Sequence, residues 1–191
     1  MRMPSYRNPA VYRTVTSSAF LAAALMLAYV ESLLPSVIPL PGFKLGLPNL
    51  AVMASFFISP AHAAAVSVGR IVLSALLFGN PVSLAMSASG GILSFAVLFS
   101  ISRCRRCTFS WIGVSVMSAA AHNAGQLAAA AIITGSAAVI SYAVPLAAAA
   151  VICGLLTGVI MNRAAPMLTR SLGRVFPTHD KSRETHLRRN P

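Results

Sequence analysis

Residues 16–37 read TSSAFLAAALMLAYVESLLPSV, and this stretch decides the fold class. A helix needs about 20 apolar residues to cross a hydrocarbon core about 30 Å thick, and this run supplies them. It also carries Glu31, the only acidic side chain between Ala19 and Met161. A charged side chain at the bilayer centre costs about 2.5 to 3.5 kcal/mol on insertion scales unless it is paired or faces a protein-lined cavity. Glu31 therefore points to a polar solute or ion handled within the membrane.

Similar apolar blocks follow at 45–58, 62–78, 82–101, 109–134 and 137–161. The chain is 57% hydrophobic and 9% charged, outside the soluble globular range and inside that of multi-span membrane proteins. The expected fold is an all-α integral membrane protein, about six transmembrane helices in one bundle with both termini cytoplasmic. Its parts are a basic arm at 1–15, the transmembrane domain at 16–162, and an interfacial helix with a disordered basic tail at 163–191. The block at 45–58 is short for a complete crossing. The first block follows basic residues as a signal peptide would, but no small-residue cleavage site comes after it, so it reads as an uncleaved span.

A net charge of +12 raises the prospect of nucleic acid, and its distribution argues against it. Arg2, Arg7 and Arg13 precede the first block. Arg103, Arg105 and Arg106 separate the fourth from the fifth. Arg163, Arg170, Arg174, Lys181, Arg183, Arg188 and Arg189 follow the last. In a six-span drawing all three clusters fall on one side, as the positive-inside rule requires of an inner-membrane protein. They read as topology signals and anchors for anionic membrane lipid. Cys104 and Cys107 form a C-x-x-C in the basic loop, where two thiols cannot fill a tetrahedral zinc site. They are expected to be reduced and incidental, and no metal or cofactor is expected.

The remaining polar groups cluster. Arg70 lies mid-block and is a natural partner for Glu31, either as a structural pair or as half of a binding site. His122 and Gln126 share one helical face, with Asn123 beside them at i+3 from Gln126. One turn with three such groups suggests a lined cavity more than simple helix glue. A metal site is not expected there, because His122 has no second His and one carboxylate at most to join it. Between the first two blocks, Pro41-Gly42-Phe43-Lys44-Leu45-Gly46-Leu47-Pro48-Asn49 forms a rigid loop with a mobile cation at Lys44. Asn49 is placed to cap the second helix. The candidate ligand-binding residues are Glu31, Lys44, Asn49, Arg70, His122, Asn123 and Gln126. Small residues at Ala19, Ala23, Ala24 and Ala28 permit close helix approach, either within the bundle or to another membrane subunit. In the tail, Met167, Leu168, Leu172, Val175 and Phe176 share a face suited to the membrane interface.

Taken in order, Tyr29-Val30-Glu31-Ser32-Leu33-Leu34-Pro35, the Pro41 to Asn49 loop, Arg70 with Leu77-Phe78-Gly79, Gly90-Gly91 and Ala121-His122-Asn123-Ala124-Gly125-Gln126 resemble the Gx transporter family, also described as heptaprenyl diphosphate synthase component I. The resemblance covers about 19–161, and Pro48 departs from it where Ala is common. The family is similar to the S components of energy-coupling factor transporters. That resemblance implies a six-helix subunit capturing a small solute near the outer face. It further implies a transmembrane coupling subunit docked on small residues of the first helix, with cytoplasmic ATPases driving the cycle.

The synthase name meets a chemical objection. Prenyl diphosphate synthases hold Mg²⁺ on clustered aspartates, and the only Asp here is Asp180, in the tail. No P-loop is present either. The chain is expected not to be an enzyme by itself. The leading expectation is a solute-binding uptake subunit, the solute being small, polar and slightly favoured as anionic. The alternatives are a stand-alone proton-coupled carrier or channel using Glu31 and His122, or a membrane component associated with polyprenyl diphosphate or quinone synthesis.

Overall fold

The computed structural model describes residues 9–33, 46–104 and 109–172. Six helices form: α1 (Pro9–Leu33), α2 (Asn49–Ser55), α3 (Pro60–Phe78), α4 (Pro81–Arg103), α5 (Trp111–Thr134) and α6 (Ala143–Leu172). A 3-10 turn at Ala137–Tyr142 leads into α6. Local chemistry fixes the boundaries. Ser59 and Asn80 each cap a helix whose first residue is proline, accepting from the amides of His62 at 3.3 Å and Ser83 at 2.7 Å. Ser110 accepts from the Gly113 amide at 3.0 Å to start α5, and Gly135 ends it in the left-handed region at φ 62°.

Five segments are long and apolar enough to cross a bilayer: Ala10–Leu33, Pro60–Phe78, Pro81–Arg103, Trp111–Thr134 and Ala137–Leu172. Their outward faces carry Leu76, Ile132, Val144 and Met26, all more than 70% exposed. A continuous apolar exterior of this kind is stable against lipid and a liability against water. The chain is a multi-pass membrane protein.

Helix directions follow from which residues meet. Leu21 packs on Gly69, and the Tyr29 and Phe78 rings lie 6.0 Å apart, so α1 and α3 run parallel. Ser94 bonds Ser118 at 2.8 Å while Ser89 bonds the Gly125 carbonyl at 2.7 Å, so α4 and α5 are antiparallel. Gly154 lies against Val116 and Gly158 against Ile112, which makes α5 and α6 antiparallel as well. A side chain at either glycine would meet the α5 backbone within 2.6 to 2.7 Å, so the two helices touch backbone to backbone there. The start of α1 and the end of α6 share one end of the bundle. Arg13, Arg103, Arg163 and Arg170 all belong to that basic end.

Parallel α1 and α3 require the chain between them to return across the bundle, and in residues 46–59 the structure refines the sequence expectation. Among its described residues, 46–59, the helix is Asn49–Ser55, seven residues or about 10 Å, a third of a crossing. The expected second span is a buried half-helix. Its far portion, Phe56 and Phe57, reaches the basic end, where Phe57 stacks on Trp111 at 5.5 Å. There it joins a core of Val66, Leu98, Ile101, Val114, Met161 and Ala165. A smaller cluster of Met86, Ala129, Ala130 and Val139 fills the opposite end.

At the C-terminus, α6 continues unbroken through Pro166 to Leu172, so the boundary drawn at Asn162 falls inside one helix. Leu168 and Leu172 pack on the basic-end core while Met167 stays 74% exposed. The apolar face expected to rest on the membrane surface is thus partly internal. Val175, Phe176 and the tail lie outside the described residues, as do Lys44, Cys107 and the loop before Gly46. Cys104 is disulfide-bonded, which corrects the expectation of a reduced thiol.

Candidate functional site

Between the two apolar clusters lies a layer of buried polar side chains. Glu31 is 6% exposed on α1, Arg70 4% on α3, His122 1% and Gln126 0% on α5. The segment Gly46–Asn49, at the start of the half-helix, ties them together. Gly46 adopts φ +86°, a left-handed conformation that side chains disfavour. This turn directs the amides of Gly46 and Leu47 at Glu31, whose Oε1 accepts from both, the second at 3.4 Å. Consecutive backbone N–H groups on a carboxylate make up for much of its lost hydration.

Asn49 does not cap α2, contrary to expectation. Pro48 holds the cap position without a side-chain bond, and the Asn49 Oδ1 instead accepts from Arg70 Nη2 at 2.7 Å. Arg70 in turn interacts electrostatically with Glu31. The half-helix is therefore clamped at its tip by α1 through backbone amides and by α3 through a side chain. Two donors of the clamp, Arg70 Nε and Asn49 Nδ2, have no hydrogen-bond partner among the described residues. Unsatisfied buried donors cost about 1 to 3 kcal/mol each, so the site favours an acceptor that reaches them.

His122 faces the same segment. Its Nε2 lies 3.1 Å from Gln126 Nε2, which the shared helical face had implied. The ring is seated between two glycines: a Cβ on Gly46 would lie 3.0 Å from His122 Cδ2, and one on Gly90 would lie 2.8 Å from its Nδ1. Glu31 and His122 thus converge on Gly46 from opposite helices. Beside Asn49 is a small void of about 10 Å³, lined by Met53, Ser115, Ser118, Cys153 and Thr157, with room for about one water. Among the described residues, Gly46 lies between Glu31 and the His122 ring.

Two expectations need correction. Asn123 leaves the cluster: its Nδ2 donates to the Leu146 carbonyl at 2.9 Å and pins α5 to α6. An i+1 neighbour of His122 points about 100° away around the helix, so one turn could not hold all three groups on one face. Ala24 and Ala28 are 0% and 2% exposed and pack within the bundle, leaving Ala19 and Ala23 exposed on α1. Sequence reasoning also missed Gly46 and Gly90 as the seat of the imidazole, and the hydroxyls of Ser115, Ser118 and Thr157. Their spacing from His122 (i−7 and i−4 for the two serines) was the available signal. No group of three or more His, Cys, Asp or Glu positioned for a metal occurs among the described residues.

An all-helical, multi-pass membrane bundle with charged and amide side chains gathered on a re-entrant half-helix is the class of protein that these features define. The chain belongs to the heptaprenyl diphosphate synthase component I family, whose profile it matches over residues 20–164. No curated protein and no solved structure gives a match.

Proposed function

We propose that this chain is the solute-binding subunit of an uptake transporter in the cytoplasmic membrane, similar in role to an energy-coupling factor S component and non-enzymatic on its own. The observation that carries the reading is the convergence of Glu31, Asn49, Arg70, His122 and Gln126 on the Gly46–Asn49 segment. Structural pairing alone needs Glu31 and Arg70. It does not need a strained glycine turn, a glycine-seated histidine and two unpartnered donors on the same tip.

The half-helix tip moves aside to open the site, and the solute takes over its contacts. The bound molecule offers acceptor oxygens to Arg70 and Asn49, with Lys44 adding positive charge from the loop. The basic end faces the cytoplasm, and the exposed Ala19 and Ala23 of α1 offer a small-residue surface for a coupling subunit whose cycle is driven by cytoplasmic ATPases. Family membership also favours a second reading, a membrane component that assists prenyl diphosphate synthesis elsewhere. A magnesium-held diphosphate is bound on clustered aspartates, and the sequence has a single Asp, which weighs against that role for this chain.

The test is mass spectrometry of small molecules that co-purify with the detergent-solubilised protein, followed by thermal melts with the molecule found. Glu31→Gln and His122→Ala are each expected to abolish the solute-dependent rise in melting temperature while leaving membrane insertion intact. If both variants bind like the parent, the assignment of the site is wrong.

A further inference from the structure

The void beside Asn49 lies where three elements meet: Asn49 and Met53 of α2, Ser115 and Ser118 of α5, and Cys153 and Thr157 of α6. All six side chains are at most 9% exposed, so its walls are buried. The hydroxyls there share a pattern. Thr157 donates to the Cys153 carbonyl at 2.8 Å, and Ser115 donates to Met53 Sδ at 3.8 Å. Ser118 and Ser94 bond each other at 2.8 Å. A hydroxyl has one proton and two lone pairs, so Thr157 and Ser115, with their protons spent inside the protein, keep oxygens that can accept.

These walls select an occupant by size and by charge. About 10 Å³ of room suits one water and nothing larger. Cavities that stay dry are lined by apolar groups, and this one is not. A small cation would find oxygen ligands, but Arg70 Nη2 bonds Asn49 Oδ1 at 2.7 Å and places positive charge directly behind the wall. A buried water needs two to four polar partners, and the Ser115 and Thr157 oxygens, from different helices, supply two.

We infer that one ordered water occupies this void, donating to Ser115 Oγ and Thr157 Oγ1 and so bridging α5 to α6 beside the half-helix. It makes a polar seam against Met53, at the point where the half-helix leaves the Glu31 cluster and enters the apolar core. The inference does not depend on whether that cluster binds a solute.

The experiment is X-ray radiolysis of the full chain in nanodiscs, with oxidation mapped by mass spectrometry. Radiolysis of a bound water releases hydroxyl radical in place, and the sulfurs of methionine and cysteine are readily oxidised. Met53 and Cys153 flank the void, whereas Met161 and Met86 are buried in the two apolar clusters at 0% and 2% exposure. Met53, itself 2% exposed, is expected to oxidise at least about fivefold faster than either, with Cys153 oxidised alongside it. Ala119→Val adds methyl groups to the wall of the void and should bring Met53 down to the Met86 and Met161 rates. Unchanged Met86 and Met161 rates report that this variant is folded, and the comparison within the parent decides the matter alone if it is not. Met53 oxidised no faster than Met86 and Met161 in the parent would overturn the proposal, as would fast Met53 oxidation that persists in folded Ala119→Val. Oxidation that spreads to Phe56 and Phe57, 0% and 1% exposed, would also overturn it, because the radical would then come from bulk water reaching an opened half-helix.

Discussion

Gly46 does two jobs that no other residue type does at that position. Its φ of +86° turns the chain so that successive amides reach Glu31, and its missing side chain leaves room for the His122 ring at 3.0 Å from where a Cβ would stand. Gly46→Ala should destabilise the protein by about 1 to 2 kcal/mol from backbone strain alone, with a further loss from crowding the imidazole, read as a lower melting temperature in detergent. The Glu31–Arg70 interaction makes a sharper test. Arg70→Met alone leaves a buried carboxylate with part of its compensation gone, a loss of about 3 to 5 kcal/mol. Glu31→Gln combined with Arg70→Met removes both charges and should recover much of that loss. A double-mutant cycle measures the difference, and simple additivity would show that the two groups do not act as a pair. At this scale the sequence was partly readable. The cost of Glu31 in hydrocarbon announces a buried site, and His122 with Gln126 at i+4 announces a shared face. The role of Asn49 was not readable, because a capping residue and a clamp residue look alike until the neighbouring helix is in place.

Proline and cap chemistry put the starts of α3 and α4 within a residue or two of where the apolar blocks suggested, since Ser59-Pro60 and Asn80-Pro81 stop one helix and start the next. The half-helix was harder to foresee. Apolar content measures burial, and a segment buried on all sides inside protein is as apolar as one facing lipid, so 45–58 reads like a helical span although its helix is Asn49–Ser55. The tie-breaker was length, about 14 residues against about 20. The parallel course of α1 and α3 rests on long-range packing that no local pattern encodes. Cysteine pairs test it directly. Tyr29→Cys with Phe78→Cys should cross-link through a short reagent, and Tyr29→Cys with Gly69→Cys should not. The reverse outcome would make α1 and α3 antiparallel. The α5–α6 contact is tested by size: Gly154→Leu forces apart backbones that now touch and should destabilise the bundle by about 1 to 3 kcal/mol in a chemical or thermal melt.

Over the whole molecule, charge and helix direction agree. Six passes of the chain, one of them only partly helical, bring the start of α1 and the end of α6 to the end that carries Arg13, Arg103, Arg163 and Arg170. Single cysteines at Asn80 and Ser136 should therefore react with a membrane-impermeant thiol reagent from outside intact cells. One at Ser110 should react only after the membrane is opened. Labelling of Ser110→Cys from outside would invert the orientation. The charge clusters made the shared basic end legible from sequence, because they mark span ends by composition and not by packing.

The half-helix also sets an order of assembly. A ribosome delivers residues 46–58 before α3 to α6 exist, yet Phe56, Phe57 and Met53 meet Phe95, Trp111 and Ser115 on those later helices. Seven helical residues leave many backbone groups bare in lipid, so this leg has no stable place in the bilayer by itself. Its packing is complete once the C-terminal helices have gathered around it. Nascent chains cut short before α6 should thus leave this leg accessible to proteases, the state a cell's quality-control machinery would recognise and clear.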